Sequence, residues 1–108
     1  MSARDWQVFD SAELMEKVAG SEAKILEFLR VPSLSVSIYR LPAGCKDMQA
    51  PHMEDEVYYC LEGKARLRVE DKVHDIAAGS ILFVRATAAH SFFDIEEALT
   101  VLAFFGGG

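Results

Sequence analysis

Two histidines and one glutamate in this chain have the residue types and the spacing of a metal site. His52 precedes Glu56 by four residues, and His90 lies further along the chain. Side chains alternate between the two faces of a β-strand, so residues four apart in an extended segment project from the same face. Two imidazoles and one carboxylate that leave positions open for water or substrate form the facial arrangement favoured by non-haem iron(II). The sequence therefore predicts one divalent ion, which could be Fe, Zn, Mn, Ni or Cu.

Short strands separated by turns surround these residues. Pro32-Ser33 joins two apolar-rich segments in a hairpin pattern, although the first of them could also be helical. Residues 65–69 alternate cleanly between apolar and charged side chains. Gly63 is predicted to turn the chain between two strands. The strands are predicted at residues 24–31, 34–41, 56–62, 65–69, 73–76, 81–84, 91–94 and 98–105. About eight short strands with turns between them predict an all-β domain, either a sandwich or a barrel.

The one convincing helix signal lies near the N-terminus. Asp10 or Ser11 can cap this helix, and Gly20 ends it. The length of 108 residues fits a single domain over 1–108, in which the short helix and a hairpin occupy residues 10–34.

Charge and composition exclude several classes of partner. The formal net charge of -6 opposes binding to nucleic acid phosphates and to anionic membrane surfaces. The N-terminal segment has neither the basic flank nor the apolar stretch of a signal peptide, so a cytoplasmic location is expected. In that compartment Cys45 and Cys60 should stay reduced.

The spacing around His52 and Glu56 carries a resemblance to a known family. The segment runs as Gly44, five residues, Ala50-Pro51-His52, three residues, Glu56, six residues and Gly63. This resembles the first motif of the cupins, which are small double-stranded β-helix (jelly-roll) proteins. The family has a histidine where this chain has Ala50.

The segment around His90 resembles the second cupin motif. It runs as Gly79, five residues, Arg85-Ala86-Thr87, two residues, His90, three residues and Asp94. The intervals match, although the family's proline, glycine and closing asparagine are replaced by Arg85, Thr87 and Asp94. The resemblance covers about residues 35–105 and implies a cupin barrel whose metal ligands are His52, Glu56 and His90.

Because Ala50 stands where the family has a histidine ligand, the neighbours of Ala50 are considered as replacement ligands. Gln49 and Glu54 flank the gap, and Glu54 has the strand parity of His52, so it could supply a further oxygen ligand. Glu54 or Tyr58 could serve as acid or base, but no catalytic residue is assigned.

Strand alternation also predicts the pocket around the ion. Tyr58 and Cys60 lie on the same strand face as Glu56, which is expected to point inward. Phe92 lies on the same strand face as His90. These side chains could line a site for a small organic ligand or substrate, or they could be plain core packing.

Three functions remain open at this stage. The first is a metal-dependent enzyme, such as a dioxygenase or isomerase, and the second is a module that binds or senses a small ligand without catalysis. The third is a dimerising scaffold with a degenerate site. Residues 57–61 and 99–105 are apolar on both faces, which predicts a homodimer that covers the exposed side.

Overall fold

The computed structural model describes residues 6–47 and 53–106. The first element is one short helix, α1 (Ser11–Lys17), and the strands follow in sequence. The strands are β1 (Lys24–Val31), β2 (Leu34–Leu41), β3 (Asp55–Val69), β4 (Lys72–Ala77), β5 (Ile81–Val84) and β6 (His90–Gly106). The Asp10 carboxylate caps α1 by accepting a hydrogen bond from the backbone N–H of Ala12.

All strand pairs are antiparallel, in the order β1-β2-β6-β3-β4, and β5 also pairs with β3. The prediction of an all-β domain is confirmed. The central strands β3 and β6 are longer than predicted, because each one continues through a segment predicted to be a break.

Gly63 bends β3 rather than ending it. Its φ of 103° lies in the left-handed region, and the pairing with β6 shifts register on either side of it. A Cβ at this position would lie 2.6 Å from Leu99 Cα and 2.8 Å from the Ala98 carbonyl carbon. Only glycine lets the backbone of β3 lie this close to β6. The bend at Gly63 allows β3 to hold Glu56 near its start and to pair with β4 at its other end.

The inward faces of β2, β6 and β3 form rows of side chains across the sheet. One row joins Ser35, Phe105 and Glu56, and the next joins Ser37, Ala103 and Tyr58. The main core packs against these rows. Its largest fully buried members are Tyr58, Phe92, Leu41, Leu67, Leu99, Val84 and Val101.

The outward face of the sheet is covered only in part. Leu14 and Val18, from α1 and the turn that ends it, form a second cluster with Ile38 on β2. On β5, Ile81 and Phe83 remain 70% and 64% exposed, opposite Tyr59 and Val57 of β3. In the described part of the chain, no helix is long and apolar enough to cross a membrane.

Candidate metal centre

Glu56 and His90 meet inside the barrel from different strands. Glu56 lies near the start of β3 and His90 is the first residue of β6, and their side chains are only 1% and 2% exposed. His90 Nε2 lies 3.2 Å from Glu56 Oε1. This is an ion-pair distance. Neither oxygen of the Glu56 carboxylate accepts a hydrogen bond from a described residue. A buried carboxylate in this state is costly unless a cation or a proton satisfies it.

The backbone sets the orientation of the His90 ring. Nδ1 lies 2.9 Å from the carbonyl oxygen of Ala88 and donates a hydrogen bond to it. In the neutral imidazole this places the lone pair on Nε2, the nitrogen that faces Glu56. A metal-ligating histidine is commonly held by such a bond from its other nitrogen. Glu56 and His90 therefore fit a divalent cation.

Contact with the Glu56 carboxylate raises the pKa of His90 above its ordinary value. Burial acts in the opposite direction, and the Ala88 carbonyl adds a further increase. A proton on Nε2 can therefore occupy the place of a cation between the two side chains, so a proton and a metal ion compete for it.

The predicted pocket residues lie on the inward face. The Tyr58 hydroxyl lies 3.2 Å from His90 Nε2, and the Tyr58 ring packs edge-on against Phe92, with centroids 5.0 Å apart. Tyr58, Cys60 and Phe92 are all buried. Burial raises the pKa of the Cys60 thiol, which donates to the Glu62 carbonyl at 3.3 Å. Cys60 thus has the environment of a packed thiol rather than a reactive thiolate.

Among the candidate ligands His52, Gln49 and Glu54, only Glu54 belongs to the described residues. His52, Gln49 and Ala50 fall outside the described residues. Glu54 is exposed and borders a cavity whose lining does not include His90. Within residues 6–47 and 53–106, no third His, Cys, Asp or Glu joins Glu56 and His90 to form a ligand group.

Asp47 supports the wall of the site, and the sequence reasoning missed it. Its Oδ1 accepts a hydrogen bond from the Tyr39 hydroxyl at 2.8 Å, and its Oδ2 accepts one from the Phe92 backbone N–H at 2.9 Å. The same carboxylate acts electrostatically on His90 and contributes to raising its pKa. No motif marks this aspartate, because its role depends on β6 lying next to the loop that follows β2.

A cavity of about 460 Å³ lies on the inward face of β1 and β2. Ser35, Ser37 and Phe105 form its wall, and Phe105 stands between Ser35 and Glu56 in their cross-strand row. Its remaining lining residues are Ile25, Glu27, Arg30 and Glu54.

An antiparallel jelly-roll barrel with a histidine and a glutamate facing each other in its interior defines the cupin class. The family model described as "Cupin domain" matches residues 37–105. This chain belongs to the cupin family. It is also similar to an uncharacterised protein of Streptomyces coelicolor, with 39% identity over 99 residues that cover 92% of this chain and 94% of that protein.

Solved structures share the fold at low sequence identity. A protein from Thermus thermophilus has a TM-score of 0.79 and 20% identity, and the match covers 94% of this chain and 97% of that one. A DMSP lyase from Ruegeria pomeroyi has a TM-score of 0.75 and 18% identity, and the match covers 80% of this chain but only 47% of the lyase. At these identities the likeness establishes the fold alone.

Proposed function

We propose that this chain is a metal-binding cupin that acts on a small organic molecule held in its barrel. Glu56 and His90 would hold a divalent ion, together with His52 as the third ligand predicted from the sequence. The observation that carries the proposal is the Glu56 carboxylate, which is 1% exposed, lacks a hydrogen bond from any described residue and faces an imidazole nitrogen. Buried carboxylates that accept no hydrogen bond are rare because they are unfavourable, and a cation bound between Glu56 and His90 would satisfy this one.

A bound divalent ion would supply Lewis acidity for polarising an oxygen of the ligand, or a site for oxygen activation. The chain's own residues have separate tasks. Ala88 holds the His90 ring so that Nε2 faces Glu56, and Tyr58 places a hydroxyl 3.2 Å from that nitrogen. The Tyr58 hydroxyl could move a proton to or from a ligand at this place.

A binding module without catalysis is the second candidate. It is favoured by the low exposure of Glu56 and His90, because the described structure leaves little open surface at the pair for a reacting molecule. The third possibility, a dimerising scaffold with a degenerate site, predicts no metal at all.

Metal analysis decides whether the site is occupied. The protein should be purified without chelator, and its metal content measured by mass spectrometry for wild type, Glu56→Gln and His90→Gln. We expect close to one ion per chain in wild type and almost none in either variant. Glu97→Gln removes an exposed carboxylate on β6, seven residues from His90, so it serves as the matched control and should keep the metal. A metal-free wild type after reconstitution with Fe, Zn, Mn, Ni and Cu would contradict the proposal.

Oxygen uptake distinguishes an enzyme from a binding module. The iron(II)-loaded protein should be tested with diketones, flavonols and thiols, and the Glu56→Gln variant should serve as the blank. Substrate-dependent uptake that this variant lacks would support a dioxygenase. If wild type binds metal but consumes no oxygen with any of these compounds, a dioxygenase for these three compound classes is excluded and the binding module is favoured.

A further inference from the structure

The turn between β5 and β6 orients the His90 ring, and one of its residues is strained. The N–H of Ala88 donates a hydrogen bond to the carbonyl oxygen of Arg85 at 3.1 Å, which closes a four-residue turn over 85–88. Thr87, the third residue of this turn, has a φ of 66°, in the left-handed region that β-branched side chains rarely adopt. The Ala88 carbonyl that follows it accepts the hydrogen bond from His90 Nδ1. Because the strained conformation is unfavourable for threonine, contacts around the turn have to hold it.

Two hydrogen bonds anchor this turn to the two ends of β3. Asp55, the first residue of β3, accepts one at Oδ1 from the N–H of Ala86 at 2.8 Å. The N–H of Glu70, directly after β3, donates the other to the carbonyl oxygen of Ala89 at 2.8 Å. The second anchor joins backbone atoms only, so Asp55 is the anchor that a substitution can remove.

Asp55 also connects the turn to the other half of the metal centre. Successive side chains of a strand point to opposite faces. Asp55 is exposed and contacts the turn, whereas the next residue, Glu56, is buried and faces His90. The start of β3 therefore places Glu56 directly and His90 through the turn.

We propose that Asp55 is a positioning residue, whose carboxylate holds the strained turn in the conformation that keeps the Ala88 carbonyl on His90 Nδ1. When this carboxylate is removed, Thr87 relaxes towards a negative φ and moves the Ala88 carbonyl away from the ring. The hydrogen bond belongs to the metal-free chain. Its benefit for metal binding, which is to keep Nε2 directed at the ion, rests on the proposed function.

Solvent exchange of the His90 Nδ1–H proton measures how firmly the ring is held. It should be followed by 1H–15N NMR of the metal-free 15N-labelled chain at about pH 5.5, below the raised pKa of His90, with His90→Gln to identify the signal. We expect Asp55→Ala to speed the exchange by about tenfold, the factor of one lost hydrogen bond. Asp55→Asn keeps an oxygen acceptor and should stay within about threefold of wild type. Equal rates in Asp55→Ala and wild type, equal rates in the two variants, or a wild-type proton too fast to observe would overturn the proposal.

Thr87→Gly tests whether the carboxylate acts through the strained residue. Glycine adopts a positive φ without steric cost, so a turn with glycine at this position no longer needs the anchor. In the Thr87→Gly background we expect Asp55→Ala to change the exchange rate by less than about twofold, and an effect of about tenfold there would contradict the proposal. If Asp55→Ala alone lacks the spectrum of a folded chain, the double variant replaces it and should fold and exchange like wild type; an unfolded double variant would overturn the proposal. Gly79→Ala, at a glycine that precedes β5, controls for a general loss of stability and should leave this exchange rate unchanged.

A zinc titration in competition with a chromophoric chelator separates this proposal from the proposed function. We expect Asp55→Ala to bind zinc about tenfold more weakly than wild type, as for residues that orient a metal ligand, and Asp55→Asn to bind like wild type. Unchanged zinc affinity in Asp55→Ala would overturn the benefit for metal binding. A wild type that binds no divalent ion, with exchange rates as expected, would contradict the proposed function alone. A wild type that binds zinc, with exchange rates that do not respond to Asp55→Ala, would contradict the positioning role alone.

Discussion

Replacement of Glu56 by glutamine should stabilise the metal-free protein while abolishing metal binding. The substitution keeps the shape of the side chain and removes its charge. Glu56 is 1% exposed and accepts no hydrogen bond from a described residue, so in the absence of a cation its charge is a cost to the folded state.

The size of this effect follows from the burial and from His90. A buried polar group without a partner costs about 1–3 kcal/mol, and a charge on it adds a further cost of about the same size. Glutamine keeps the first cost and removes the second. For a domain of this size, 1–3 kcal/mol corresponds to an increase in Tm of about 5–15 °C. The gain should depend on pH, because contact with Glu56 raises the pKa of His90. Below that pKa the imidazolium lies 3.2 Å from the carboxylate and pairs with it, so the substitution then removes a favourable contact.

The assay is thermal unfolding in excess chelator, at about pH 5.5 and about pH 9, on either side of the usual histidine range. We expect a clear increase in Tm for Glu56→Gln at the higher pH and little or no increase at the lower one. Glu54→Gln removes an exposed carboxylate of the same charge and should change stability by less than about 0.5 kcal/mol at both values. If Glu56→Gln unfolds at or below the wild-type temperature at high pH, the carboxylate is satisfied in the metal-free protein and the reasoning fails.

Four further predictions concern other parts of the molecule. Gly63→Ala should destabilise the protein by more than about 3 kcal/mol in urea unfolding, because its Cβ would meet the backbone of β6, whereas Gly79→Ala, with a positive φ but open space, should cost only about 1 kcal/mol. Asp47→Ala should cost about 2–4 kcal/mol in the same assay, since it removes the acceptor of two hydrogen bonds, and a loss below about 0.5 kcal/mol would contradict this role. The unfolding free energy of the metal-free protein should fall as pH rises from about 6.5 through the raised pKa of His90, because the protonated ring is favoured in the folded state, and His90→Gln should remove this slope. Light scattering should give about twice the chain mass of 12.0 kDa, and Phe83→Lys on the exposed outer face should return it to 12.0 kDa; a monomeric wild type would exclude the homodimer.

Strand parity is the part of the site that the sequence predicts best. The alternation of side chains is a local property of the backbone, so the inward direction of Glu56, Tyr58 and Cys60 could be inferred before any fold was known. The motif spacing then brought His90 to the same interior, where it lies 3.2 Å from Glu56.

Features that depend on distant strands could not be inferred in the same way. The sequence predicts that Gly63 ends a strand, because glycine usually interrupts one. In the structure Gly63 instead permits the close approach of the β3 and β6 backbones. Asp47 carries no local signal, since an aspartate in a loop is an ordinary residue. Its significance comes from its contact with the edge of β6, which only the tertiary structure defines.

The pairing of the central strands has a consequence for how the protein folds. Leu34 pairs with Gly106 and Asp55 also pairs with Gly106, so the middle of the sheet joins segments that are far apart in the chain. Closing such long loops costs entropy before the contacts form, which places the chain among slowly folding β proteins, on the timescale of milliseconds to seconds. Glu56 and His90 lie on β3 and β6, so they meet only when this long-range pairing is complete. An ion that binds between them would slow unfolding and shift the folding equilibrium, but it could not act as a nucleus for folding.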